Sequence, residues 1–166
     1  MIRLAALGAL VASVYGALHD QVSYTISPEY FTKLKFDQFA YANFGGPPRV
    51  FVAEVGVLAT WWVGMIAGWS LGRVGFADPS TAARGDVRRA FAIVVGVAVA
   101  SGAVGALLGS VAARGDLTSW SEWRESLGLR DVPAFGIVAY LHWASYLGGL
   151  LGLVIAVLDA RRRRPG

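Results

Sequence analysis

The chain has 166 residues and no cysteine, and 55% of its residues are hydrophobic whereas 16% are charged. So few charges are atypical of a water-soluble domain, and the lack of cysteine excludes disulfides, thiolate metal sites and cysteine nucleophiles within the chain. The formal net charge of +4 comes mostly from arginines beside apolar segments. Arginines in that position orient membrane proteins, so the charge does not indicate a nucleic-acid partner.

Four apolar blocks are long enough to cross a lipid bilayer as helices, so the bilayer is the expected solvent and partner of the chain. They cover approximately residues 2–26, 50–72, 91–112 and 134–158. We therefore predict an all-α fold, an integral membrane four-helix bundle in which residues 1–166 form a single membrane domain.

The first block needs an extension, because its apolar run ends at Leu18. About 17 residues at about 1.5 Å each reach about 25 Å, less than the roughly 30 Å of hydrocarbon. We extend this helix to Ile26, since Ser27-Pro28-Glu29 is typical of the start of a new helix. A cleaved signal peptide, with Arg3 at its basic end, is the alternative to an uncleaved helix.

Two connections combine aromatic residues with charges, and we predict that both lie at the membrane interface as short helices. The first, over residues 28–44, is too polar to span and contains Lys33 and Lys35; it is interpreted as an interfacial helix or a lid, with a simple anchoring belt as the alternative. The second, over residues 119–127, begins with a capping box from Ser119 to Glu122.

Small residues recur at every fourth position in three of the predicted helices, which is typical of seams where membrane helices pack closely. The members are Gly56, Thr60, Gly64, Gly68 and Gly72 in the second helix, Ser101, Gly105 and Gly109 in the third, and Ala144, Gly148 and Gly152 in the fourth.

Arginines are concentrated in the loop over residues 72–90 and in the tail over residues 161–164. Basic segments stay in the cytoplasm, so we expect a multi-pass protein of the inner (plasma) membrane with both termini cytoplasmic and both aromatic connections on the outer face. The stretch over residues 19–31 resembles a motif of small bacterial membrane proteins, and this resemblance implies no activity.

Ionisable residues inside predicted spans are the candidate functional residues, because charges at such depths are costly and usually face the bundle interior. Four of them have similar predicted depths, and we expect them to form one cluster: His19, Asp20, Glu54 and His142. Their expected supporting side chains are Tyr15, Gln21, Tyr140 and Tyr146.

Three interpretations of this cluster are open. It is a structural polar network that fixes helix register, a metal or haem site, or a path for protons or substrate. Neutral imidazole and carboxylate ligate transition metals, so His19, His142 and Glu54 are the expected ligands if a metal is bound. No HxxxH or ExxH spacing supports a metal site independently.

Conventional enzyme motifs do not appear in the sequence. It has no G-x-S-x-G elbow, and the glycines at Gly102 and Gly105 lack a phosphate-loop lysine. We therefore predict a non-catalytic accessory or structural membrane subunit, in a larger complex or a homo-oligomer, with no cofactor. The alternative is a haem- or metal-binding, proton-linked redox or transport protein that uses the cluster.

Overall fold

The computed structural model describes residues 1–76, 84–113 and 120–163, and this part of the chain contains helices and no strand. Four helices are long and apolar enough to cross a membrane, which confirms the predicted all-α four-helix bundle. We name them α1 (Ile2–Ile26), α2 (Pro48–Leu71), α3 (Arg84–Ala112) and α4 (Val132–Arg163).

The helices extend further than the apolar blocks at several ends. α2 begins with Pro48 in its first turn and is followed by a π-helical turn over Gly72–Phe76. α3 already begins at Arg84 and α4 continues to Arg163, because arginine is a good helix former and these turns lie beyond the apolar run. The loop predicted over residues 75–90 is therefore helical from Arg84 onward.

The bundle consists of two tightly packed hairpins, α1 with α2 and α3 with α4, and contacts between the hairpins are sparse by comparison. In the first hairpin the predicted small-residue stripe of α2 packs directly on the α1 backbone: Gly64 lies against Gly8, and Gly56 against Gly16. In the second hairpin Gly105 packs against Tyr140 and Ala144, and Gly148 against Ser101. These seams form because a glycine brings two backbones into contact.

Residues 28–44, here called the aromatic segment, fold over one end of the bundle as a series of short helical turns. They are Pro28–Tyr30, the π-helical turn Phe31–Lys35, Phe36–Gln38 and the 3-10 turn Ala40–Ala42. Phe31 is 0% exposed and packs with Phe51 of α2 and Phe135 of α4. A belt that only anchors the protein at the interface would not bury such rings, so the segment is a cap on the bundle.

A short helix, Trp120–Leu127, precedes α4. The predicted capping box starts at Ser119, which lies outside the described residues. Gly128, with φ of +62°, ends the helix, and Leu129 donates its backbone N–H to the Arg124 carbonyl at 3.0 Å. The short helix therefore leads directly into the buried end of α4, where Leu129 belongs to the same core as Phe31.

Glu29 fastens the aromatic segment to the start of α4. Its carboxylate accepts backbone hydrogen bonds from Arg130 at 3.1 Å and from Asp131 at 2.8 Å. These bonds lower the pKa of Glu29, because they favour the charged carboxylate. At the opposite end of the bundle, Asp159 of α4 pairs with Arg89 of α3 at 3.1 Å.

Candidate functional site

The polar side chains of α1 and α4 meet at the junction between the two hairpins. On α1, Tyr15, His19 and Ser23 follow each other at four-residue spacing, so they share one face of the helix. That face meets α4 at His142, beneath the aromatic segment. The buried polar side chains of α1 and α4 thus lie at the junction between the hairpins, where the helices pack less tightly than within each hairpin.

The two histidine rings are in contact, with centroids 4.7 Å apart at an interplanar angle of 78°. His142 is 1% exposed and Asp20 is 4% exposed. The Nε2 atom of His142 lies 3.8 Å from an Asp20 carboxylate oxygen. One potential ligand atom from each of these three residues falls within 4.8 Å of the other two. We call His19, Asp20 and His142 the histidine–aspartate cluster.

Hydrogen bonds determine which ring nitrogens are free. The Ser23 hydroxyl donates to the His19 carbonyl at 3.0 Å, so its oxygen accepts from His142 Nε2 at 3.1 Å. His142 then carries a hydrogen on Nε2, and its Nδ1 atom has no hydrogen-bond partner among the described residues. On the other ring, Nδ1 of His19 is 3.2 Å from the Tyr15 hydroxyl, which leaves Nε2 uncommitted.

Aromatic rings cover the cluster from the side of the aromatic segment. The Tyr30 ring centroid is 4.9 Å from that of His142, and the Phe31 centroid is 6.3 Å from it. Tyr146, one turn along α4, packs against the same imidazole at 6.0 Å. This cover removes the cluster from bulk water and raises the electrostatic strength of every interaction inside it.

Lys35 packs against one of the aromatic rings that cover the cluster. Its ammonium lies 5.8 Å from the centroid of the Tyr30 ring, within the range of a cation–π contact. Burial lowers the pKa of Lys35, and the Asp20 carboxylate opposes that shift. Lys35 thus supplies positive potential to the buried carboxylate from outside the spanning helices.

Among the residues predicted for the site, the structure brings together the histidine–aspartate cluster, Tyr15 and Tyr146. Glu54 stays apart: it is half-buried in α2 and has no hydrogen bond or ion pair with the described residues. Gln21 turns to α2, where it donates to the Arg49 carbonyl at 2.8 Å and accepts from the Arg49 guanidinium. Tyr140 packs against Gly105 and Gly109 of α3.

Four residues at the site were not predicted: Ser23, Tyr30, Lys35 and Ser145. The two serines had a usable signal, since Ser23 is four residues after His19 and Ser145 is three residues after His142. No sequence signal of this kind indicated Tyr30 or Lys35. Tyr30 ends the short helix Pro28–Tyr30 and Lys35 ends the π-helical turn that follows it, and no hydrophobic period indicates the path of such a segment.

The geometry discriminates between the two cofactors considered for the histidines. Because the rings touch, no space remains between them for a porphyrin, so a haem ligated by both His19 and His142 does not fit. A single ion fits better. Ligand atoms around a tetrahedral ion at about 2.0–2.2 Å are roughly 3.3–3.6 Å apart, and one potential ligand atom of each residue in the cluster lies within 4.8 Å of the other two.

No protein-family model, curated protein or solved structure matches the chain.

Proposed function

We propose that this membrane protein binds one divalent transition-metal ion between its two hairpins, with His19, Asp20 and His142 as ligands. The observation that carries the proposal is the convergence of two imidazoles and a carboxylate, in which Asp20 and His142 are buried and His19 is half-buried. His142 Nδ1 supports it, because a buried polar atom without a partner is costly and an ion would supply that partner. Two histidines and one carboxylate are a ligand set of iron(II), zinc and related ions.

The surrounding hydrogen bonds have the form expected around metal-bound imidazoles. A ligating histidine donates its other ring N–H to a protein oxygen, which fixes its orientation. His142 does so through Nε2 to Ser23, and the Tyr15 oxygen is placed to accept from His19 Nδ1. The ion would then be bound by the other nitrogen of each ring, His142 Nδ1 and His19 Nε2, although the His142 atom that lies 3.8 Å from Asp20 is Nε2.

Three protein ligands leave at least one coordination position open, which is typical of catalytic rather than purely structural sites. For this reason we favour the metal-binding redox or transport protein, one of the two functions considered from the sequence, over the non-catalytic accessory subunit.

Metal titration of the purified protein tests the proposal. Protein in mild detergent is stripped with a chelator and titrated with Co²⁺ and with Zn²⁺, and bound metal is measured by elemental analysis and by the Co²⁺ absorption spectrum. We expect one ion per chain. Asp20→Asn and His19→Gln should weaken binding by at least about a hundredfold, since each removes a direct ligand.

Glu54→Gln is the matched control, because Glu54 is an intramembrane carboxylate of similar predicted depth that lies outside the cluster. It should bind metal as the unmodified protein does. Circular dichroism and gel filtration establish that each variant is folded. A folded, unmodified protein without saturable one-per-chain binding overturns the proposal, and so does undiminished binding by folded Asp20→Asn.

For orientation we propose the arrangement expected from the arginines: an inner-membrane protein with both termini in the cytoplasm and the aromatic segment on the outer side. Reporter fusions test it. A fluorescent protein joined after Arg163 should fluoresce, and a periplasmic phosphatase inserted between Gly45 and Gly46 should be active. The reverse pattern would contradict the arrangement.

A further inference from the structure

A groove of about 790 Å³ runs along the junction between the hairpins, on the membrane side of the histidine–aspartate cluster. α1 forms one wall from Leu10 to Val22, and α3 and α4 form the other from Val95 to Ala103 and at Leu141 and Ser145. Its lining is aliphatic except at one place, where Tyr15, His19 and Ser145 meet. The volume is in the range of small-molecule sites.

The Ser145 hydroxyl is the observation that points to a ligand. Ser145 is 4% exposed, lines the groove beside Gly102, and its hydroxyl has no hydrogen-bond partner among the described residues. If His19 binds an ion through Nε2, its Nδ1–H donates to the neighbouring Tyr15 oxygen, and the hydrogen of the Tyr15 hydroxyl needs another acceptor. Since one of these two hydroxyls can donate to the other, at least one hydroxyl hydrogen without an acceptor remains beside the apolar groove, and this count rests on the proposed metal site.

A hydroxyl group that lacks an acceptor favours a ligand that provides a hydrogen-bond acceptor. The groove lining contains no acidic residue, lysine or arginine, so no side chain in it would neutralise a charged headgroup. The proposed ion beside His19 could attract an anion, and binding of palmitate tests that alternative. A neutral carbonyl group on an apolar molecule is the matching chemistry.

Depth decides which lipid-soluble carbonyl can reach this place. Tyr15 lies 11 residues before Ile26 and 13 after Ile2, so it is about 16–20 Å from either end of α1. Ester carbonyls of bilayer phospholipids stay at the interface. A quinone ring on an isoprenoid or alkyl tail, in contrast, is uncharged and moves through the hydrocarbon interior.

We propose that the groove binds a lipid-soluble quinone, with its ring carbonyl accepting hydrogen bonds from Tyr15 and Ser145 and its tail lying along α1 and α3. The quinone ring then lies beside His19, next to the proposed ion. The proposal concerns binding and assigns no electron transfer.

Binding of a decyl-substituted benzoquinone tests this directly, measured by equilibrium dialysis with purified protein in detergent micelles, against micelles without protein. We expect saturable binding of one quinone per chain. Val99→Trp fills the groove and should weaken binding at least tenfold. Val104→Trp is the matched control, since Val99 and Val104 of α3 are 53% and 54% exposed and Val104 does not line the groove; it should bind normally.

Ser145→Ala tests the headgroup contact and should weaken quinone binding roughly three- to tenfold, as expected for one hydrogen bond. Ser110→Ala, at a serine of α3 whose hydroxyl bonds to its own helix, should have no effect. Equal binding of decylbenzene, which lacks the carbonyls, or of palmitate overturns the proposal, as does undiminished quinone binding by folded Val99→Trp.

The same measurements on chelator-treated protein separate the two proposals. If no metal binds but the quinone still binds in a manner sensitive to Val99→Trp and Ser145→Ala, the groove proposal stands and the metal proposal fails. If metal binds and the quinone does not, the groove proposal fails alone.

Discussion

The seams inside the hairpins and the junction between them are built on opposite principles. Inside each hairpin, glycines such as Gly64 bring two backbones into direct contact, and little space or polarity remains. At the junction, contacts are sparse, polar side chains are buried, and a groove remains open along α1. Each hairpin is thus held by close packing, whereas the region between the hairpins contains the buried polar side chains and the groove.

Overpacking a seam should produce the largest effect. In Gly64→Val the new Cβ would collide with the Gly8 backbone and the Ala12 methyl, and neither can rotate away. We expect a loss of about 3 kcal/mol or more in the free energy of unfolding, measured by SDS titration in mixed micelles. Gly96→Val is the control, because a Cβ at Gly96 meets nothing within 4 Å. Equal stability of the two variants would show that the seam does not hold the hairpin.

If the junction between the hairpins binds a metal ion, adding that ion should stabilise the folded protein. A ligand that binds only the folded protein stabilises it by about 2.7 kcal/mol at one hundred times its dissociation constant. Zn²⁺ should therefore raise the melting temperature of the unmodified protein and leave that of Asp20→Asn unchanged. A matching rise in Asp20→Asn would place the ion elsewhere.

The four helices and their seams were predictable because they depend on length and on composition. The roughly 30 Å thickness of the hydrocarbon required α1 to continue past Leu18, and the structure ends it at Ile26 as predicted. Four-residue spacing of small side chains likewise predicted which faces pack. Neither argument needs knowledge of how the hairpins are placed relative to each other.

The site was only partly predictable, because the prediction compared the depths of the residues in the membrane and left out their angular positions around each helix. Glu54 has a suitable depth but lies two residues before Gly56, about 200° around α2 from the seam that faces α1. That rotation could have excluded it from the cluster. The contribution of Lys35 could not have been predicted, since it depends on how the aromatic segment folds over the bundle.

A hydrogen bond across a seam should matter less than its packing. The Thr60 hydroxyl lies 2.7 Å from the Ala12 carbonyl of α1 and 2.7 Å from the Gly56 carbonyl of its own helix, so it already has an acceptor within α2. Thr60→Val should cost about 0.6 kcal/mol of unfolding free energy by SDS titration, the usual size of such bonds in membranes. Thr32→Val, at an exposed threonine bonded to its own turn, should change it less. A loss as large as that of Gly64→Val would mean that the bond, not the glycines, holds the hairpin.

The smallest effect is expected where the aromatic segment meets α4, and it depends on pH. The lowered pKa of Glu29 means that its contribution to stability is present above its ordinary value of 4.5 and is lost as pH falls through the folded-state value. Because water screens this site, Glu29→Gln should cost less than Thr60→Val at neutral pH. Unfolding curves from about pH 7 to pH 3 should show the unmodified protein and the Glu29→Gln variant converging in acid. Glu125→Gln, at an exposed glutamate of the short helix, is the control and should be as stable as the unmodified protein at neutral pH. A Glu29→Gln difference that persists at the acid end would mean that the carboxylate charge does not fasten the cap, and that the segment is held over the cluster by its buried rings alone.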